Sequence, residues 1–343
     1  MKLFATLTSR RAVEGGHDGG GADLQISLPG RAYLADLERF LRLLEDDGKE
    51  EFTLVLREGL FSLHPVVLAM IAATGAAADS AGQSTQVENL IVNSSTRYLR
   101  RMNVFSHINA EVDISVREHE AAGRFIPVRS ILTNEELNDF IKDFVPLLHM
   151  EPRDADAVKY VLFELIRNVL EHSGSSTGAF VAAQVSQMNR RLLLGVADAG
   201  IGIKRSISRS HRADSDREAI SLALRPGITG ASPRFGGNET NGGAGLFFLK
   251  SMATLSRHHM VVVSGDCMMK LLTQRNPQIN ANIADDRVTW FSIPNASYRG
   301  TAVGIDLQID SPVGFVELLR RIGQVYHIDV KKQKAARFKP RFS

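Results

Sequence analysis

The chain has 343 residues, 44% of them hydrophobic and 23% charged, a composition that suits a folded protein of about two domains and excludes a disordered or fibrous one. Its 41 Lys and Arg against 38 Asp and Glu leave a formal charge of +3. Six basic residues (Lys331, Lys332, Lys334, Arg337, Lys339 and Arg341) fall after Val330, so the body has a slight acid excess and a nucleic-acid-coating surface is excluded.

From the N-terminus, no charged, apolar and small-residue succession of a leader precedes the glycine-rich stretch Glu14 to Gly21, so residues 1–21 are expected to be flexible and the protein cytoplasmic. Residues 22–115 alternate strand-like and helix-like segments. Ala22 to Leu28, Phe52 to Leu56 and Glu88 to Val92 are predicted strands. Ala32 to Leu44 is a predicted helix with Leu34, Leu37, Phe40, Leu41 and Leu44 on one stripe. Pro65 to Ala78 is weakly polar but shorter than the ~20 residues of a membrane span, and reads as a buried helix. Ser94 or Ser95 opens a further helix. A polar stretch, Ala110 to Arg124, marks a domain boundary.

The second unit starts with a strand at Phe125 to Val128 and a helix signalled by Thr133 and Glu136 at capping-box spacing. A longer helix, Asp154 to Glu171, follows, then strands Phe180 to Val185 and Leu192 to Ala197. Lys204 to Asn241 is a long glycine-rich stretch, and helix Leu246 to Leu255 leads to strands near Val261, Met269, Val288 and Val303. The lone cysteine, Cys267, closes no intramolecular disulfide and holds no metal by itself, which fits a reducing compartment.

Four pieces carry the candidate chemistry. Glu164, Asn168 and His172 recur at i, i+4 and i+8, so they share one side of the long helix while Val161, Leu162, Leu165 and Val169 take the other. Such a face is either wetted by solvent or a magnesium-nucleotide site, in which Asn168 supplies a neutral oxygen to the metal and Glu164 orients or deprotonates a hydroxyl. Asp198, Gly200 and Gly202 follow a strand directly. There a carboxylate can accept from the exocyclic amine of a purine and the glycines let the backbone turn beside it. Gly243, Gly245 and Leu246 open a helix whose exposed N–H groups can seat phosphates. Thr301, after Gly300, can support the Asp198 contact.

In order and spacing these pieces resemble the GHKL, or Bergerat-fold, ATPases over about residues 124–310. The string Glu164 to Ser173 is most similar to the anti-sigma-factor serine kinases of that group. The resemblance implies an α/β (α+β) sandwich at 124–325, a mixed sheet covered by helices on one face, with ATP and Mg2+ as cofactors. It implies Glu164 as the catalytic residue and Asn168 as the metal ligand, with His172, Asp198, Gly200, Gly202, Gly243, Gly245, Leu246 and Thr301 around the nucleotide. It makes Lys204 to Asn241 a lid, from which Lys204, Arg205 and Arg209 either reach phosphate or stay solvated. Residues 22–115 are similar to STAS-like domains. Their acceptor turn is replaced by Leu60 to Pro65 here, where Ser62 reads as a helix N-cap ahead of a phosphate acceptor. The implied activity is transfer of a phosphoryl group to a protein partner (a STAS-type antagonist, a sigma factor or another regulator), with an ATP-gated interaction switch as the alternative. A homodimer is open, neither membrane nor nucleic acid is expected as a partner, and 331–343 is expected to be a separate basic tail.

Overall fold

The computed structural model describes residues 24–46, 51–115, 125–147, 152–186, 191–228, 245–274, 277–308 and 315–337. It is an α+β protein built on a small mixed sheet and a larger antiparallel one. The expected flexible segment at 1–21 and the distal end of the basic tail lie outside the described residues, as does most of the predicted boundary.

The first layer contains β1 (Leu24–Ser27), β2 (Arg31–Ala32), α1 (Glu38–Leu41), β3 (Leu44–Asp46), β4 (Glu51–Val55), β5 (Ser62–Leu63), α2 (Pro65–Ser80), β6 (Ser84–Glu88), α3 (Ser94–Arg101) and α4 (Val104–His107). Its sheet runs β3-β1-β4-β6, with β1, β4 and β6 parallel and β3 antiparallel.

The helix expected over 32–44 is broken into β2, a 3-10 turn at Leu34–Asp36, α1 and β3. Its stripe of Leu34, Leu37, Phe40, Leu41 and Leu44 is buried all the same. Pairing Leu44 with Ile26 satisfies backbone groups that a helix would have satisfied internally, so tertiary pairing overrides the local period. The strand expected at 88–92 lies earlier, at β6, because Asn89 takes a left-handed conformation (φ 57°) that ends it. Asn93 then caps α3, its Oδ1 accepting from Ser95 N at 2.8 Å and Thr96 N at 3.1 Å.

Ser62 caps nothing. It is exposed in β5 with its Oγ 2.8 Å from the Tyr33 hydroxyl. Pro65 occupies the first helical position of α2, which moves the cap to His64, whose Nδ1 accepts from Val66 N at 3.1 Å.

The second layer contains β7 (Phe125–Ile131), α5 (Asn134–Leu147), α6 (Pro152–His172), β8 (Ala179–Ser186), β9 (Arg191–Asp198), α7 (Gly202–Ile207), α8 (Asp216–Ala223), α9 (Gly245–Leu255), β10 (Met260–Gly265), β11 (Cys267–Leu271), β12 (Val288–Ser292), β13 (Tyr298–Gln308) and α10 (Phe315–Arg337). Thr133 caps α5 as its spacing predicts, accepting from Glu136 N at 3.1 Å, while Glu136 reaches back to Leu132 N at 2.7 Å.

The sheet order is β12-β11-β10-β13-β9-β8-β7, and every pairing is antiparallel rather than mixed. The short β8–β9 and β10–β11 links permit only that direction. α10 runs through Arg337, so the basic stretch begins on a helix, with Lys331, Lys332 and Lys334 exposed along it.

Nor is the large sheet covered on one face only. Residues of α5, α6 and α9 bury Val181, Leu194, Val196, Val262 and Val303. The alternate residues Phe180, Ala182, Ala197, Val261, Val263 and Ala302 are buried together with the first layer. The covering element is α2, which lies against β8, β9 and β13 and also against β4 and β6. A helix between two sheets needs apolar residues all round, and α2 is buried at every position from Pro65 to Gly75.

Its first turn rests on a glycine pair, Gly195 and Gly304, which face each other across β9 and β13. A Cβ at Gly195 would stand 2.2 Å from Val66 N, and one at Gly304 would stand 2.6 Å from Leu34 Cδ2. Beside them the fully buried His64 reaches Asp306 Oδ1 with its Nε2 at 3.0 Å. Because Nδ1 accepts from Val66, Nε2 carries the proton and donates. No helix among the described residues is long and apolar enough to cross a membrane.

Candidate functional site

α6 forms the spine of the site. Val161, Leu162, Leu165 and Val169 are buried against the sheet side, as the spacing predicts, and Glu164, Asn168 and His172 stand half-buried on the other side. The Glu164 carboxyl is raised above its ordinary range by burial, a shift opposed by Arg167. The imidazole of His172 is lowered by burial and held up in part by Glu171, which is itself bonded to Arg167 Nε at 2.6 Å.

The opening residue of α9 closes on this face. A Cβ at Gly245 would lie 2.6 Å from Glu164 Oε2 and 3.1 Å from Asn168 Nδ2, so the start of α9 sits directly against the ends of both side chains, which a larger residue would push aside. Leu246, next along, is half-buried with the large-sheet core. Gly243 lies outside the described residues.

Asp198 ends β9, opposite Thr301 of β13, and is almost fully buried. Its Oδ1 accepts from Gly200 N at 2.8 Å, and the Thr301 N–H also donates to the carboxylate. Burial outweighs both donors and pushes the Asp198 carboxyl up to about 7. Gly200 packs on the end of α6, where a Cβ would stand 2.2 Å from Ser173 O, and Ile201 N donates to that same oxygen at 2.8 Å. Gly202 begins α7. The loop is therefore bonded directly to the last turn of the helix that carries Glu164, Asn168 and His172.

Three residues that the sequence reading missed hold this arrangement. Ser173 supplies the carbonyl just described. Ser264 Oγ accepts from Ile203 N at 2.9 Å and donates to Gly300 O at 2.8 Å, tying the start of α7 to the start of β13. Tyr298 donates its buried hydroxyl to Asp198 O at 3.0 Å. Ser173 closes the string Glu164 to Ser173, which assigned it no role. Ser264 and Tyr298 carry no local signal.

The stretch expected as a loop from Lys204 contains α7 and α8, the latter capped by Ser215 Oγ, which accepts from Glu218 N at 3.1 Å. Residues 229–241 of that stretch lie outside the described residues.

The donor set can be tested against a magnesium nucleotide. Among the described residues no group of three or more His, Cys, Asp or Glu could hold a metal unaided, so an ion here would share its ligands with phosphate oxygens, as Mg2+ does with nucleotides. The Asn168 Nδ2 is buried and finds no hydrogen-bond partner among the described residues. The opposite amide orientation sets a carbonyl oxygen at that position beside Glu164, the neutral ligand such an ion takes. The residues fit the group. No protein-family model matches the sequence, and no curated protein matches it either.

Proposed function

We propose that the chain binds Mg-ATP between α6, the Asp198 loop and the start of α9, and transfers the γ-phosphoryl group to a serine or threonine of a protein partner, as the serine kinases it resembles do. The observation that carries this reading is the closure of Gly245 onto both Glu164 and Asn168, on a helix whose end is bonded to the Asp198 loop. In this reading ionised Asp198 accepts from the exocyclic amine of adenine, with Thr301 beside it. Asn168 holds the metal through its side-chain oxygen. When bound, the metal neutralises charge on the phosphates and orients them for in-line transfer.

Glu164 positions the partner's hydroxyl and takes its proton as the new O–P bond forms and the bond to the β-phosphate oxygen breaks. A carboxyl raised by burial is a better base at neutral pH than an exposed one. The partner and the cytoplasmic location belong to the same reading. The buried Cys267 thiol, pushed up to about 11 chiefly by burial, fits a reducing compartment in which it stays unmodified.

Replacing Glu164 by Ala is expected to abolish transfer from labelled ATP while leaving ATP affinity within about threefold, because the carboxylate contributes to the transition state rather than to ground-state binding. Transfer that survives the substitution removes Glu164 from this role.

A second reading, an ATP-gated interaction switch, is favoured by the seating of α2 on β9 and β13, the strands that carry Asp198 and Thr301. Nucleotide binding would then bias the first layer's contacts with a partner without chemistry. Mass spectrometry of candidate partners after incubation with ATP separates the two: a phosphorylated product identifies a kinase, and nucleotide-dependent partner binding with no product identifies a switch.

A further inference from the structure

A pocket of about 490 Å³ opens beside α7, between that helix, the start of α8, the β10–β11 turn and the segment leading into β13. Gly200, Ile201 and Gly202 line it, but none of Glu164, Asn168, His172, Asp198 or Thr301 does. It adjoins the nucleotide site proposed above, sharing Gly200 and Gly202 with it but none of the side chains assigned there to adenine, metal or catalysis, and its volume suits a small metabolite. We propose that this pocket is a binding site for a phosphate-bearing small molecule.

The charge of the walls carries the argument. Lys204 and Arg205 from α7 and Arg299 from the strand entry line the pocket against one carboxylate, Asp216. Burial raises the Asp216 carboxyl, the Asp266 N–H lowers it, the neighbouring Asp266 carboxyl raises it further, and Lys204 pulls it down. Asp216 Oδ2 is fixed in place by the Asp266 N–H at 3.2 Å, which leaves a set polar group on that wall. Three cations against two carboxylates, Asp216 and the adjoining Asp266, leave one positive charge in excess, and a phosphate monoester carries about −1.5 to −2 near neutral pH. Two of the three cations are guanidinium groups, whose forked donors match phosphate oxygens in pairs. The hydroxyls of Ser208 and Ser297 also line the pocket and can donate to the same oxygens. Asp216 can accept from a hydroxyl or amine elsewhere on the ligand, which sets such a molecule apart from inorganic phosphate alone.

Isothermal titration of the full chain with glycerol phosphate and with inorganic phosphate, at constant ionic strength, tests the assignment. The unaltered chain is expected to bind glycerol phosphate more tightly than inorganic phosphate. The paired change Arg205→Ala and Arg299→Ala is expected to weaken glycerol phosphate binding at least about tenfold, the loss that follows from removing charge-assisted hydrogen bonds.

Ser208→Asp, which adds a negative charge at an exposed wall position, is expected to weaken binding similarly, and it serves as the independent variant should the arginine pair fail to fold. Asn168→Ala is expected to leave binding of this probe unchanged. The proposal is overturned if the unaltered chain does not bind glycerol phosphate. It is equally overturned if the wall variants bind as the parent does, or if Asn168→Ala abolishes binding while the wall variants do not. That last pattern would place the phosphate in the nucleotide site. The wall variants report on this pocket whether or not the chain binds ATP, so failure here and failure of the kinase reading are distinguishable.

Discussion

Replacing Asp198 by Asn separates what the carboxylate does for binding from what it costs the fold. Burial raises the Asp198 carboxyl from an ordinary 3.8 to about 7, against the pull of the Gly200 and Thr301 N–H groups. The folded protein therefore holds this proton more tightly than the unfolded chain does. The stabilisation associated with it is fully present below 3.8 and drains away as pH rises through about 7. At 1.36 kcal/mol per tenfold, ionising the buried group near pH 8 costs the fold about 4 kcal/mol.

Asn keeps an oxygen for the Gly200 N–H, at 2.8 Å in the parent, but sets an NH2 group where the Thr301 N–H donated, which takes back ~1–2 kcal/mol. The variant should be about 2 kcal/mol more stable than the parent near pH 8, and its stability should be nearly flat between about pH 4 and pH 7, where the parent's falls. Urea unfolding without nucleotide, followed by fluorescence of Trp290, the only tryptophan and a residue of β12, reads this directly. In the nucleotide-binding reading the same variant should bind ATP roughly ten- to a hundredfold more weakly, because a charge-assisted acceptor for the adenine amine is lost. The parent's affinity should also fall as pH drops through about 7. A variant no more stable than the parent near pH 8, together with a parent whose stability does not change between acid and neutral pH, would refute the burial argument.

Three further outcomes follow from the packing. Gly195→Val should cost at least about 3 kcal/mol, because its branched side chain has no room beneath Val66 and must lift the first turn of α2 off β9; the urea midpoint measures it. Gly323→Ala in α10, where an added Cβ meets no atom within 4 Å, should stabilise by ~0.5–1 kcal/mol in the same assay. Lys250→Met should destabilise by about 3–5 kcal/mol, since Lys250 Nζ is the buried partner of Asp286 Oδ2 at 2.6 Å and of Asn280 O at 2.6 Å. Adding Asp286→Asn to Lys250→Met should recover part of that loss, and thermal unfolding of the two variants side by side checks the pair.

Local sequence determined the parts of this protein whose physics is local. The 3.6-residue period of α6 separated Glu164, Asn168 and His172 from its buried stripe, and the apolar runs placed β8 and β9 to within a residue at each end. The Asp198 loop and the opening of α9 were legible because a strand end and a helix start are both written in adjacent residues. Composition already carried the burial of α2, since Pro65 to Ala78 offers no polar face.

What the sequence could not carry is where each apolar face goes. A stripe of leucines is buried equally well by a helix or by a turn and a strand, so only the pairing of β3 with β1 decided between them at 32–44. A helix that is apolar all round states that it is enclosed, not that a second sheet, built from strands that begin at Phe125, encloses it. Gly195 acquires meaning only from the backbone of α2 pressed against it, and Gly304 from the side chains of Leu34, Val261 and Val66. The pocket beside α7 gathers its arginines from positions nearly a hundred residues apart. Contacts between distant segments are set by shape and close packing across the whole fold, and no window of adjacent residues contains that information.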